Sequence, residues 1–390
     1  MFGDVVDEIF SEEHRILRDT VKKFVRDKVV PIAPEMDRSG KFHEDIFKEM
    51  VSLGLTGILI PEEYGGVGVD LVSALIALEE ISRGSASLGL ILLSHSVICG
   101  YNIVVHGNEK QKSKYLPLLA SGEMIGGFAV TEPDAGSDVL SMKTTAHFTD
   151  GKYILNGSKM FITNGPIGDV FILYAKTDPE KGKDGVSAFI VEKKFPGFSA
   201  SDGIEKMGMR GSPTGELYLD ECEVPKENLL GEENRGYYQL IKNFEIERIA
   251  ISAIAVGVAR SSLSWQIRHS LERKQFGKLL ADFEMIQDKI ALSGGMLEIL
   301  RTYLYVLGSK YTHEKDFRME SSAIKLFTSD HAVKTSLEAI QILGGYGYSK
   351  EYPVERYMRD AKLLEIGAGT SEIMKIIMAR RLLRDEKLKE

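Results

Sequence analysis

The sequence predicts an α+β multidomain protein with an N-terminal helical domain over 1–122, a middle antiparallel β-domain over 123–232 and a C-terminal helix bundle over 233–390. Three observations carry this expectation. At 390 residues the chain exceeds what one core usually serves, so two or three packed units are expected. Apolar residues recur every three or four positions in the first and last thirds, which is the spacing of one helix face. After Gly122 the pattern changes to β-rich runs bounded by Gly, Pro and Asp, which is the signature of strands.

From Ser11 to Val30, the spacing of Leu17, Val21, Phe24 and Val25 marks an amphipathic helix, with Ser11 as its N-cap and Pro31 as its stop. Helices follow around 43–53, 71–82, 86–105 and 109–120, separated by Gly- and Pro-bearing turns such as Pro61 to Gly68. The strand runs are 150–163, opened by an Asp150–Gly151 turn, then 169–176, 186–192 and 215–224. The helical period returns at 236–273, 281–312, 320–343 and 371–385. There is no internal repeat, and only 178–185 reads as a solvated loop.

Apolar residues make up 43% of the chain and charged residues 27%, so it is foldable throughout. A net charge of −8, from 49 Lys and Arg against 57 Asp and Glu, speaks against a nucleic-acid partner, which needs a basic surface. No apolar run approaches the roughly 20 residues that cross a bilayer. The opening segment, with Asp4, Asp7, Glu8, Glu12 and Glu13, is too acidic for a secretory or transit peptide, so a cytoplasmic location without a membrane partner is expected. Cys99 and Cys222 are expected to be buried, reduced thiols, and the eight histidines show no metal-ligand spacing, so no metal site is expected. The signatures of phosphate loops, dinucleotide folds and serine-hydrolase elbows are missing, which removes support for those classes.

What stands out is the AVTEPDAGSD stretch from Ala129 to Asp138. Gly136 frees backbone amides there, and Thr131 and Ser137 supply hydroxyls suited to a polar ring or a pyrophosphate. Alone this is only a polar turn. Taken with MFITNG at 160–165, RKQFGK at 273–278, QILGGYGY at 341–348 and RDAKLLEIGAGTSEI at 359–373, the chain closely resembles the acyl-CoA dehydrogenase family over essentially its whole length. In motif it is most similar to the isovaleryl-CoA and short branched-chain subgroup.

The resemblance implies FAD as cofactor. Thr131, Ser137, Phe161 and Thr163 should surround its ring and pyrophosphate, with Phe161 where many relatives have Trp. Arg273, Phe276, Gln341, Gly344 and Gly345 should hold the diphosphate and adenosine across a subunit boundary, and Thr370 and Glu372 should also meet the cofactor. Arg273 offers bidentate donors and the glycine pair permits close backbone approach. One departure is Glu284, where the family commonly has Gln, because a carboxylate cannot donate that amide hydrogen bond and would repel phosphate unless paired.

The reaction implied is removal of an α-proton by a carboxylate and of a β-hydride by the flavin. Where many relatives place that carboxylate this chain has Ala368, which cannot accept a proton. The isovaleryl-CoA and long-chain subgroups carry it just before an Arg on a helix, and Phe244–Arg248 supplies this pattern, which assigns Glu247 as base with Glu245 as competitor. Arg248 lies about 100° further round the helix and is expected to meet CoA or a neighbouring helix. Ser137, Ile251, Gly367 and Ala368 complete the expected substrate contacts. Gly367 widens the pocket, and the Ala368 N–H should hydrogen-bond the thioester oxygen.

By the same resemblance the substrate is a short or branched acyl-CoA, the electron acceptor is electron-transfer flavoprotein and the assembly is a homotetramer. A dehydrogenase of a cyclic acyl-CoA, an acyl-CoA oxidase and a silent flavin- or CoA-binding protein are the alternatives.

Overall fold

The computed structural model describes residues 4–387. Its first part is helical: α1 (Asp4–Ile9), α2 (Glu12–Phe24), α3 (Val30–Ser39), α4 (Glu44–Ser52), α5 (Leu71–Gly84), α6 (Ala86–Leu92), α7 (Tyr101–His106) and α8 (Glu109–Ala120). Ser11 caps α2 as expected: its Oγ accepts from His14 N, and His14 Nδ1 accepts from Ser11 N. Pro31 does not end this helix. A wide π-type turn over Val25–Val29 leads directly into α3, which carries Pro31 in its first turn and Pro34 inside, and the helix closes only at Gly40, φ 67°. The wider turn resets the hydrogen-bond register, so Pro31 falls where a missing N–H costs little.

A second π-type turn, Leu93–Gly100, joins α6 to α7. The resulting helix, Ala86–His106, is long and apolar enough to cross a membrane, but 83% of its apolar window is buried inside the protein, where it serves the core.

The middle part is one sheet built from β1 (Gly126–Ala129), β2 (Thr145–Thr149), β3 (Lys152–Thr163), β4 (Val170–Lys176), β5 (Val186–Glu192), β6 (Phe198–Ala200), β7 (Thr214–Pro225) and β8 (Leu229–Leu230). The strand order is β6-β7-β3-β2-β4-β5-β8, with β1 beside β4. Most pairings are antiparallel, but β1 and the start of β2 run parallel to β4, so the sheet is mixed. The β2–β3 hairpin separates β1 from β4 in sequence and gives the chain the length a parallel crossover needs. That hairpin turns on Asp150 and Gly151, φ 48° and 80°, the doubly positive geometry that a tight hairpin demands. Cys99 and Cys222 are both buried and free.

The last part is α9 (Gly236–Glu272), a short hairpin of β9 (Lys274–Gln275) and β10 (Lys278–Leu279), then α10 (Glu284–Lys310), α11 (Arg318–Leu343), α12 (Gly345–Tyr348), α13 (Val354–Leu364) and α14 (Ser371–Lys387). Helix α13 was not among the expected elements. Its hydrophobic stripe, Val354, Tyr357, Ala361 and Leu364, is short and lies directly after Pro353.

Helix α9 runs through a core shared by both helical parts. At Gly257 a Cβ would lie 2.4 Å from Glu79 O on α5, so only glycine allows the two backbones to approach this closely. Beside this crossing the buried Glu79 carboxylate accepts from Arg301 Nε at 2.9 Å and Tyr305 Oη at 2.6 Å, and is also paired with Arg260.

Candidate active site

Glu247 sits in the first third of α9, eleven residues from its start at Gly236. The residue is half-buried, and its Oε2 is shut off from solvent with no hydrogen-bond partner. Burial pushes its carboxyl up to about 7, against the opposing pull of Arg248 and Lys325. Glu245, the competitor, is differently employed. It is buried, its Oε2 lies 3.2 Å from Lys242 Nζ and accepts from Phe317 N at 3.3 Å, and it thereby fastens the entry to α11. Two carboxylates two residues apart on a helix project about 200° apart, so Glu245 and Glu247 point to different sides of α9.

One turn before Glu247, the Asn243 amide donates to Asn102 Oδ1 at 2.7 Å and to Tyr174 Oη at 2.8 Å. All three residues are buried, and Tyr174 is close enough to Glu247 to feel its charge. This polar floor was invisible in the sequence, because Asn102, Tyr174 and Asn243 lie on α7, β4 and α9.

The turn after α13 completes this region. Arg248 is buried, its guanidinium lies 5.5 Å from the Phe244 ring, and its Nε donates to Ala368 O at 3.3 Å. A Cβ added to Gly367 would lie 3.6 Å from Leu363 O and 3.9 Å from Ile251 Cδ1, both ordinary contacts, so the fold itself does not require glycine there. Glu247, Arg248, Ile251, Gly367 and Ala368 are therefore brought together by α9 and one turn. Ala368 has φ 56°, left-handed and unusual for a residue with a Cβ. Thr370 Oγ1 accepts from Ile373 N at 3.4 Å at the start of α14 and also bonds the exposed Glu372 carboxylate, which is held low by the local backbone and Thr370.

At the sheet, the register between β3 and β7 shifts between Lys159 and Ile162, and this bulge places Phe161 at φ 61° with 59% of its surface exposed. A bulged, outward-turned aromatic next to Thr163 and the 131–138 loop suits a planar ring lying against it. The loop is fixed from below: Met160 N donates to Thr131 O at 2.8 Å, and the buried Lys159 ammonium meets Glu132 at 2.7 Å, with Thr144 on the same carboxylate. The sequence reading missed this Glu132–Lys159 pair, although a carboxylate inside a Gly-Ser loop and a Lys inside an alternating strand were its signals. Ser137 is exposed and Thr131 half-buried, which leaves both available to a ligand.

Arg273, Phe276, Gln341, Gly344, Gly345 and Glu284 are all exposed. Arg273 lies 5.7 Å from the Tyr346 ring, which joins the end of α9 to the glycine turn after α11. Phe276 is 94% exposed at φ 50°, and a Cβ on Gly344 or Gly345 would meet nothing within 4 Å. An aromatic side chain, a guanidinium and two bare glycines directed to solvent form an incomplete surface that suits a ligand or a second subunit.

Models of the N-terminal, middle and C-terminal domains of acyl-CoA dehydrogenase match residues 11–123, 127–222 and 234–383. The chain is 42% identical over 388 residues to the mitochondrial isovaleryl-CoA dehydrogenase of Oryza sativa subsp. japonica, covering 99% of this chain and 95% of that one. It superimposes on butyryl-CoA dehydrogenase from Megasphaera elsdenii with a TM-score of 0.93 at 37% identity, covering 96% of this chain and 99% of that one. A chain described as electron transferring flavoprotein of Acidaminococcus fermentans gives a TM-score of 0.94 at 39% identity, with the same coverage of 96% and 99%.

Proposed function

The chain belongs to the acyl-CoA dehydrogenase family, and from that premise we propose that it desaturates a short or branched acyl-CoA thioester with Glu247 as base and passes the electrons to an electron-transfer flavoprotein. The observation that carries this reading is the unpartnered, solvent-shielded Oε2 of Glu247, on a helix whose next residue, Arg248, bonds Ala368 O and whose next turn brings Ile251 to Gly367. Bound FAD supplies the hydride acceptor; Phe161, Thr131, Ser137 and Thr163 would meet its ring and pyrophosphate, and Arg273 with the Gly344–Gly345 turn its remote end.

The chain's own groups act on the other half of the reaction. The Glu247 carboxylate takes the α-proton, and the Ala368 N–H stabilises charge on the thioester oxygen. Their burial strengthens both interactions. A base must be ionised, so kcat/KM is expected to rise with pH through about 7, where the burial of Glu247 places its carboxyl. A profile already flat from pH 5 upward would show that Glu247 titrates as an ordinary carboxylate.

A glycine at 367, where a larger side chain would come up against Ile251, supports a branched chain. In an anaerobic titration, isovaleryl-CoA and butyryl-CoA are both expected to bleach the oxidised flavin of the wild type, whereas Gly367→Tyr should lose the isovaleryl response about tenfold or more and keep the butyryl one. Bleaching by neither thioester would overturn the substrate class, and bleaching by cyclohexanecarboxyl-CoA alone would favour the cyclic reading.

A tetramer is supported by α10, on which Met285, Leu292, Met296, Ile299, Tyr303 and Val306 form an exposed stripe at heptad-like spacing.

A further inference from the structure

Lys325 lies on α11 with its side chain fully buried, and its Nζ donates to Gly369 O at 2.6 Å. Arg248 holds the preceding carbonyl, Ala368 O, at 3.3 Å. Two cations from two different helices thus grip consecutive carbonyls of one turn. Ala368 carries the first of these carbonyls and keeps its left-handed φ of 56°, which persists in a residue with a Cβ only when the surroundings impose it. Among the described residues the Ala368 N–H is donated to no group of the chain, whereas Ile366 and Gly367 both donate to Leu363 O.

A lysine buried in a helix interface is expensive for the fold, and an apolar residue of similar length would be cheaper. Burial first and Arg248 second bring its ammonium down to about 8, while Glu247 on α9, Glu365 after α13 and Glu372 on α14 pull the other way, so it remains charged at pH 7. The charge also reaches the base, since Lys325 favours the ionised form of Glu247.

We propose that Lys325 is a positioning residue: together with Arg248 it clamps the 367–369 turn so that the Ala368 N–H stays directed at the thioester oxygen, and it sets a positive charge beside Glu247. The proposal rests on the acyl-CoA dehydrogenase reading above. In this role Lys325 acts on the turn and on the base, not on the substrate itself. Removing it therefore acts through the turn and through the base, and these two effects separate experimentally.

The test uses the FAD-loaded protein and two variants. Lys325→Met removes both donor and charge; Lys325→Gln keeps an amide donor for Gly369 O and removes the charge. Binding of acetoacetyl-CoA, an enolate-forming ligand followed by the flavin spectrum, is expected to weaken about a hundredfold in Lys325→Met, since small misplacements of a catalytic donor cost this much, and less than about threefold in Lys325→Gln.

The groups facing Glu247 are Arg248, Lys325 and Tyr174. With Lys325 neutralised, the kcat/KM midpoint should move to higher pH in both variants. Wild-type affinity together with an unmoved midpoint in Lys325→Met would overturn the proposal. If that variant fails to fold, Lys325→Gln with an unmoved midpoint overturns it equally. A wild type that neither binds acetoacetyl-CoA nor is bleached by any acyl-CoA would instead overturn the functional reading beneath it.

Discussion

Replacing Glu247 with Gln is expected to lower turnover about 10²- to 10⁴-fold, the range spanned by a positioned general base, while the protein stays yellow and continues to bind acyl-CoA. The amide matches the carboxylate in shape but cannot take a proton. Stopped-flow bleaching under anaerobic conditions isolates the chemical step, and the parallel Glu245→Gln variant serves as control. Loss of bleaching in Glu245→Gln with retention in Glu247→Gln would reverse the assignment.

The same substitution has a thermodynamic signature. The folded-state carboxyl of Glu247 is raised to about 7 by burial, so its ionised form is disfavoured in the fold. The sign follows directly: relative to an unperturbed carboxylate, Glu247 costs nothing below about 4.5, and the cost grows as pH rises to about 7 and stays constant above. Glu247→Gln should therefore melt at a higher temperature than the wild type at pH 8 and at the same temperature at pH 4. A variant that is less active and more stable marks a group kept for function.

The second large effect is structural. Glu79→Ala is expected to destabilise the protein by about 3–5 kcal/mol, because it leaves the buried Arg301 without its carboxylate and the half-buried Arg260 with Glu80 alone. Equilibrium denaturation with guanidinium measures this. Burial alone would raise the Glu79 carboxyl, but Arg301 and Arg260 outweigh it and hold the group near 2. Its contribution is thus present above the ordinary carboxylate range, near 4.5, and is lost as pH falls toward 2. Replacing Glu79, Arg260 and Arg301 together by Leu, Met and Met should recover most of the loss, since neither arginine then remains to be orphaned and Glu80, which also pairs with Arg260, keeps Arg83. A triple variant as unstable as Glu79→Ala would show that specific attraction, not the orphaned charge, carries the effect.

Local chemistry made much of the fold legible. Ser11 and the Asp150–Gly151 turn announce themselves because a cap and a tight hairpin are decided within four residues. Pro31 misled because the π-type turn that accommodates it depends on packing around Val25 and Val29, both buried. Glu247 and Glu245 illustrate the limit at the site. Spacing shows that they face different ways, but only the contact between Glu245 and Phe317 N, 72 residues away, shows that Glu245 is engaged with the entry to α11. Lys325 had a weak signal, a single charge within an apolar stretch of α11, and its partner Gly369 could not be guessed from any spacing. Arg273 and the glycine turn were recognised through resemblance rather than physics, because they are exposed and no spacing within the sequence links the end of α9 to the turn after α11.

The backbone contact at Gly257 bears on how the protein is made. Helix α5 ends at Gly84, and the helix that covers it, α9, ends at Glu272, 188 residues later. At ribosomal rates of about 5–20 residues per second, the apolar face of α5 waits roughly 10–40 s for its partner to emerge. The sheet can form within that interval, since its strands are nearly consecutive in the chain. Nascent polypeptide therefore carries a finished sheet on an unfinished helical layer, and its demand for chaperone protection ends only when α9 is complete.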